Sequence, residues 1–304
     1  MYDLTATRRM FCLRHQGGPP SDAVAGGKLG RIRRQPTASD GQTMPSPAAK
    51  RPLADAETNA TRNRISNAAV RPQLRGFVFD MGDVLYDATL WRRWLFQLLG
   101  RMGLHAHYRT MFRVWDKDFL DDVHRGRREF AEAFHAFLLS LGLTRGQIDE
   151  VQAASQSRKR ELELGARPLP GVRDTIERLA ERGVKLAVLS DSEQSGGELQ
   201  THLGRLGLGG RFSPVISSFD LEYTKPSPVC YRAALSEMRL PIDAVAFVGH
   251  DGAELTGARA VGLRTVAFNY DAGATADHYL TRFEELLPLV DLATNTGDTV
   301  VSAA

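Results

Sequence analysis

Residues 75–87 read RGFVFDMGDVLYD. Gly76–Phe79 form a short run with no polar residue, and it ends abruptly in an acid, Asp80. Such a run describes a strand covered on both faces, as in a parallel sheet, rather than a half-exposed strand with alternating polarity. In open α/β sheets ligands bind beyond the carboxyl ends of the strands. Asp80 therefore stands where chemistry is expected.

Four further apolar runs lie downstream: Val184–Leu189, Pro214–Ile216, Ala244–Val248 and Arg264–Phe268. Between them, Val172–Arg182, Gln200–Leu206, Ser227–Met238 and Ala253–Val261 carry helical spacing. Ser227 and Pro228 make an N-cap and first-turn pair, and Gly183, Gly207 and Gly262 stand where helices should stop. The alternation predicts an α/β fold, a doubly wound parallel sheet. Leu90–Gly165 breaks it with helical patterns alone, including the aromatic stripes Trp91, Trp94, Phe96 and Phe130, Phe134, Phe137. Aromatics at that spacing are expected to form a core. The chain thus divides into a sheet domain (74–89 and 168–292), an inserted helical cap domain (90–167) and a flexible tail (293–304). An insert placed directly after Asp80 suits a lid.

Composition narrows the function. The net charge of +3 is uneven: residues 1–73 hold 12 Lys/Arg against 5 Asp/Glu, or +7, which leaves −4 for the other 231 residues. That leader is rich in Gly, Pro, Ser, Thr and Ala without periodicity, and disorder is expected there. A targeting peptide and a nucleic-acid arm are the alternatives to a dispensable tail. The sheet and cap give no reason to expect nucleic acid as a partner. No apolar run is long enough to span a bilayer. Cys12 and Cys230 are too few for a disulfide framework or a four-ligand zinc site, so a reducing cytoplasm is the expected compartment.

Asp80, Ser190, Lys225 and the trio His250, Asp251 and Glu254 all fall at or just beyond strand ends. Phosphoryl transfer asks for a nucleophile, a cation on the transferred group, hydroxyl or amide donors, and usually carboxylates that hold Mg²⁺. Separate loops supply parts of that kind here.

The segments FVFDMGDVLYD, LAVLSDS, YTKPSPVCY and AVAFVGHDGAELTGARAVGL resemble the four ordered motifs of the haloacid-dehalogenase-like (HAD) superfamily. HRGRREFAEAFHAFLLSLGL is similar to helical caps of its C1 branch, and the resemblance covers about residues 74–290. It implies a HAD Rossmann-like core with a helical cap. It further implies a Mg²⁺-dependent phosphatase of a small phosphomonoester, with Asp80 as the nucleophile that becomes an aspartyl phosphate. Ser190, the Asp191 N–H and Lys225 would hold the transferred group. The metal would take Asp80, the Gly82 carbonyl and Asp251, with Glu254 as a supporting acid.

Two positions depart from the family pattern. Gly82 stands where most such phosphatases have an acid for the leaving group, a role passed in expectation to Asp83, Asp87 or water. His250 stands where a metal-binding Asp is usual, and imidazole suits Mg²⁺ poorly. These departures favour a rival reading, a metal-independent 2-haloacid dehalogenase, although the Tyr-Gly-Thr that follows the nucleophile in those enzymes is absent. A third reading is a catalytically impaired HAD-fold binding protein.

Other signals carry less. Gly204–Gly210 (GRLGLGG) follows a helical stretch rather than a strand, the wrong context for a dinucleotide loop. His105 and His107 are two apart and would not share a helix face. Arg92, Arg93, Arg125, Arg127 and Arg128 on the insert are candidates to meet an anionic substrate, against the expectation of a solvated charged face.

Overall fold

The computed structural model describes residues 73–291; most of the expected leader and all of the expected tail lie outside them. The chain runs β1 (Gly76–Phe79), α1 (Leu90–Arg101), α2 (Tyr108–Val114), a π-helical turn (Trp115–Leu120), α3 (Asp121–His124), α4 (Phe130–Ser140) and α5 (Arg145–Gly165). It continues with α6 (Val172–Glu181), β2 (Lys185–Ser190), α7 (Gly196–Arg205), β3 (Val215–Ser217), α8 (Ser218–Leu221) and α9 (Pro228–Met238). β4 (Val245–Gly249), α10 (Gly252–Ala260), β5 (Arg264–Phe268), β6 (His278–Leu280) and α11 (Leu287–Asp291) complete it.

All six strands are parallel, in the order β3-β2-β1-β4-β5-β6. β1 lies inside the sheet between β2 and β4, and Phe77, Val78 and Phe79 are fully buried. That is why its sequence shows no polar alternation. The residues of β1 divide between two apolar layers. Phe77 and Phe79 pack with α6, α7 and α11, whereas Val78 packs with α9 and α10. Helices therefore cover both faces of the sheet, as a doubly wound fold requires. The expected sheet had five strands. β6 is the addition, and its three residues are too few to show a period.

The segment between β1 and β2 has its own apolar core, in which Trp115, Phe134 and Phe137 are fully or almost fully buried. The aromatic stripes serve that core: Trp115 meets Phe137 at 5.1 Å and Phe134 at 5.9 Å between ring centroids. Thr144 starts α5 with a reciprocal capping box through Gln147. No helix among the described residues is long and apolar enough to cross a membrane.

Candidate active site

β1 delivers Asp80 to the middle of the sheet's carboxyl edge. The Asp80 N–H donates to Val248 O at 2.9 Å, so β4 fixes the residue from the side. The turn that follows is braced: Asp83 takes a left-handed φ of 58°, its N–H donates to Tyr86 O, and its carbonyl accepts from Asn269 Nδ2 at 2.8 Å.

Lys225 comes from the loop after α8 and is almost wholly buried. Its Nζ lies 2.6 Å from Asp80 Oδ1 and 3.1 Å from Glu254 Oε2. The first contact is an aligned hydrogen bond and the second a close approach without hydrogen-bond alignment. The Lys225 N–H in turn donates to both carboxylate oxygens of Asp191, each at 3.1 Å. Asp191 thereby holds the loop that carries the lysine, a side-chain task the sequence reading did not foresee. Glu254 is set by close helix packing. A side chain at Gly257 would meet Pro226 Cβ at 2.5 Å, so only glycine lets α10 press against the Lys225 loop. Tyr231 Oη donates to Glu254 O at 2.7 Å and ties α9 to the same turn.

His250 completes the group, with Nε2 at 3.3 Å from Asp80 Oδ2. Ser190 ends β2, and its hydroxyl lines the cavity without a hydrogen-bond partner among the described residues. Gly82 lines the same cavity of about 1040 Å³. The structure thus brings Asp80, Gly82, Ser190, Asp191, Lys225 and Glu254 together.

Asp251 is placed otherwise. It lines the cavity, but its Oδ1 accepts the N–H groups of Ala253 (2.7 Å) and Glu254 (3.0 Å), so this carboxylate caps α10. The sequence reading ranks Asp251 over Glu254 as metal ligand; the structure places Asp251 as the helix cap and brings Glu254, one turn further on, to Lys225. The sequence held the signal, since an Asp three residues before a Glu marks a helix start. Asp83 and Asp87, candidates for the missing leaving-group acid, serve the turn instead. Asp83 Oδ1 accepts from Ala88 N–H at 3.1 Å, and Asp87 is bound by Thr89 and Arg93. Those partners outweigh burial and hold the Asp87 carboxyl below its ordinary value, which makes it a poor proton donor.

Electrostatics follow from burial. Desolvation alone would raise the Asp80 carboxyl, but the Lys225 ammonium and then His250 outweigh it and keep Asp80 well below the usual carboxylate range. Glu254 behaves oppositely: burial, with help from the Asp80 charge, pushes it up to about 8 despite Lys225. Burial likewise raises Asp191 to about 6. Near neutral pH, Lys225 therefore faces one ionised carboxylate at Asp80 and one largely protonated partner at Glu254.

The donor set does not fit Mg²⁺. Asp80 Oδ1 already accepts from Lys225 and from Met81 N–H at 2.9 Å, and Oδ2 faces an imidazole nitrogen. The nearest added acid points at an ammonium and the next one caps a helix. Among the described residues no group of three or more His, Cys, Asp or Glu is arranged to hold a metal. A hard dication needs several oxygen ligands, and this geometry offers cations and donors in their place.

On the cap side, Arg92 and Arg93 line the cavity but are paired, Arg92 with Asp116 at 2.6 Å and Arg93 with Asp87. Arg127 pairs with Asp122, and Arg128 reaches Glu132 O. Arg109, Arg113 and Lys117, four residues apart along α2 and the π-helical turn, also line the cavity and escaped the sequence reading. Their spacing was the available signal.

A family profile described as haloacid dehalogenase-like hydrolase matches residues 74–262. The chain is 29% identical over 136 residues to (S)-2-haloacid dehalogenase 2 of Pseudomonas sp. (strain CBS-3), a match over 43% of this chain and 58% of that protein. It is 30% identical over 126 residues to phosphoglycolate phosphatase of Pectobacterium atrosepticum, over 39% of this chain and 53% of that protein. The chain thus spans little more than half the length of these two relatives. A longer match, 28% over 243 residues, covers 74% of this chain and 98% of (S)-2-haloacid dehalogenase of Pseudomonas sp. (strain YL). Among solved structures, a dehalogenase superposes with a TM-score of 0.54 at 22% identity, over 71% of this chain and 96% of that one, which supports the fold. With the profile spanning more than half its length, the chain belongs to the haloacid dehalogenase-like hydrolases, a family of enzymes.

Proposed function

We propose that this hydrolase acts without a metal, through a covalent ester on Asp80, and displaces from carbon a leaving group that needs no proton; 2-haloacids are the substrate class. The observation that carries this reading is the pairing of both Asp80 oxygens with protein groups, Lys225 on Oδ1 and His250 on Oδ2. Departure of a halide requires neither a metal nor the acid that Gly82 lacks.

Oδ1 accepts two hydrogen bonds, whereas among the described residues Oδ2 meets the longer His250 contact alone, so Oδ2 is the oxygen freer to attack. A C–O bond forms as the C–halogen bond breaks, and the halide leaves with its electron pair. Lys225 and the Ser190 hydroxyl hold the substrate carboxylate. Water then attacks Cγ of the ester, which restores Asp80 and releases a 2-hydroxy acid. Asp191 lines the cavity, and its carboxyl near 6 suits it to take the proton from that water.

A second reading, hydrolysis of a small phosphomonoester, is favoured by the basic stripe Arg109, Arg113 and Lys117 and by a cavity larger than a haloacid needs. Halide release from 2-bromopropanoate and phosphate release from p-nitrophenyl phosphate, each with and without EDTA, separate the two. EDTA-insensitive halide release, lost by at least about 10⁴-fold in a folded Asp80→Asn variant, is expected. EDTA-sensitive phosphate release without halide release would overturn the proposal in favour of the second reading.

A further inference from the structure

A second cavity, of about 450 Å³, opens beside the first. Tyr86, Leu120 and Asp191 line both, so the two spaces share a wall. Its character differs. Trp91, Trp115, Phe130 and Leu162 of the cap form one side, with Trp91 and Phe130 edge to face at 5.8 Å and Trp115 and Phe130 at 5.6 Å. Of the charged groups that also line it, Lys159 is already satisfied: Nζ meets Glu193 at 2.5 Å and sits 3.5 Å over the Phe130 ring.

We infer that this cavity is the subsite for the organic part of the substrate, and that it takes an aromatic group. This rests on the proposed function only for where the reactive end lies. Aromatic walls favour ring edges and faces over short alkyl groups. Binding sites of this size are mostly apolar, with a few polar groups that fix orientation. The shared wall lets one molecule place its anionic end at Asp80 and its ring among Trp91, Trp115 and Phe130.

The test is calorimetric and needs no turnover. The wild-type chain is titrated with phenylphosphonate against methylphosphonate, and with 3-(4-methoxyphenyl)propanoate against propanoate. In each pair the aryl compound is expected to bind at least about tenfold more tightly. Leu162→Trp, which fills the cavity, and Phe130→Leu, which removes a ring while keeping an apolar residue, should each erase most of that advantage and leave the small probes unchanged. Equal affinities within both pairs would overturn the inference, as would an aryl advantage that survives both variants. An aryl preference in a protein that releases no halide would sink the proposed reaction alone, and halide release without aryl preference would sink the subsite alone.

Discussion

Thr224 Oγ1 donates to Asp121 Oδ1 across 2.9 Å and accepts from Arg125 Nη2 at 3.0 Å, which joins the tip of the cap to the residue immediately before Lys225. Ser218 Oγ reinforces the junction by donating to His124 O at 2.7 Å. Cap position and lysine position are therefore mechanically linked. Thr224→Val keeps the shape of the side chain and deletes both hydrogen bonds. The expected result is a loss of about tenfold in kcat/KM, with faster hydrogen exchange across Asp121–Gly126. Unchanged exchange in that segment would show that the junction does not hold the cap.

His250 stands where the family's metal-binding acid belongs, and it engages Asp80 Oδ2 directly. Replacing it by Asp exchanges a nitrogen donor for a hard oxygen ligand beside Asp80. Calorimetry should detect no Mg²⁺ binding to the wild-type chain and millimolar or tighter binding to His250→Asp. Equal Mg²⁺ affinity in the two proteins would show that His250 does not set the site's metal preference.

The Glu254 carboxyl, raised to about 8, gives a pH prediction. Below that value Glu254 is neutral and Lys225 acts on Asp80 and an anionic substrate; above it a second negative charge competes for the ammonium. kcat/KM should fall about tenfold per pH unit above about 8, and Glu254→Gln should abolish that limb. Stability carries the same sign. A carboxyl whose folded pKa exceeds its ordinary 4.5 binds more protons when folded, so its contribution declines as pH rises from about 4.5 through about 8. An alkaline limb that persists in Glu254→Gln would assign the ionisation elsewhere.

Asp251 tests the distinction between a helix cap and a catalytic acid. Because its carboxylate accepts two amide N–H groups at the start of α10, Asp251→Ala should cost about 1 kcal/mol of stability. kcat should remain within about twofold of wild type. Urea denaturation and steady-state rates on the same preparation measure both quantities. A large loss of kcat without a loss of stability would restore Asp251 to the chemistry.

Legibility in the sequence followed apolar runs, which even the edge strand β3 supplied. β1, β2 and β4 lie within the sheet and are covered on both faces, so their apolar runs betrayed them to within a residue or two. β6, at the sheet edge with the sequence HYL, offered no such run. In the site, the order of strand ends located Asp80, Ser190 and Lys225. The division of labour between Asp251 and Glu254 was not legible from reach alone, because a short carboxylate next to free helix amides is captured by them. The contact of His250 with Asp80 depends on how the loop after β4 turns, which residue type does not encode.

The ties that join the cap to the sheet domain at Thr224, Ser218 and Glu193 are polar, with the Phe219 ring beside Gly126 as an added apolar contact, whereas the cap's aromatic core closes upon itself. Water can take over each of these hydrogen bonds as it breaks, so such ties oppose separation of cap and sheet less than a broad apolar seam would. Parting of those ties would leave the cap's own packing intact, so the cap is built to move as one piece.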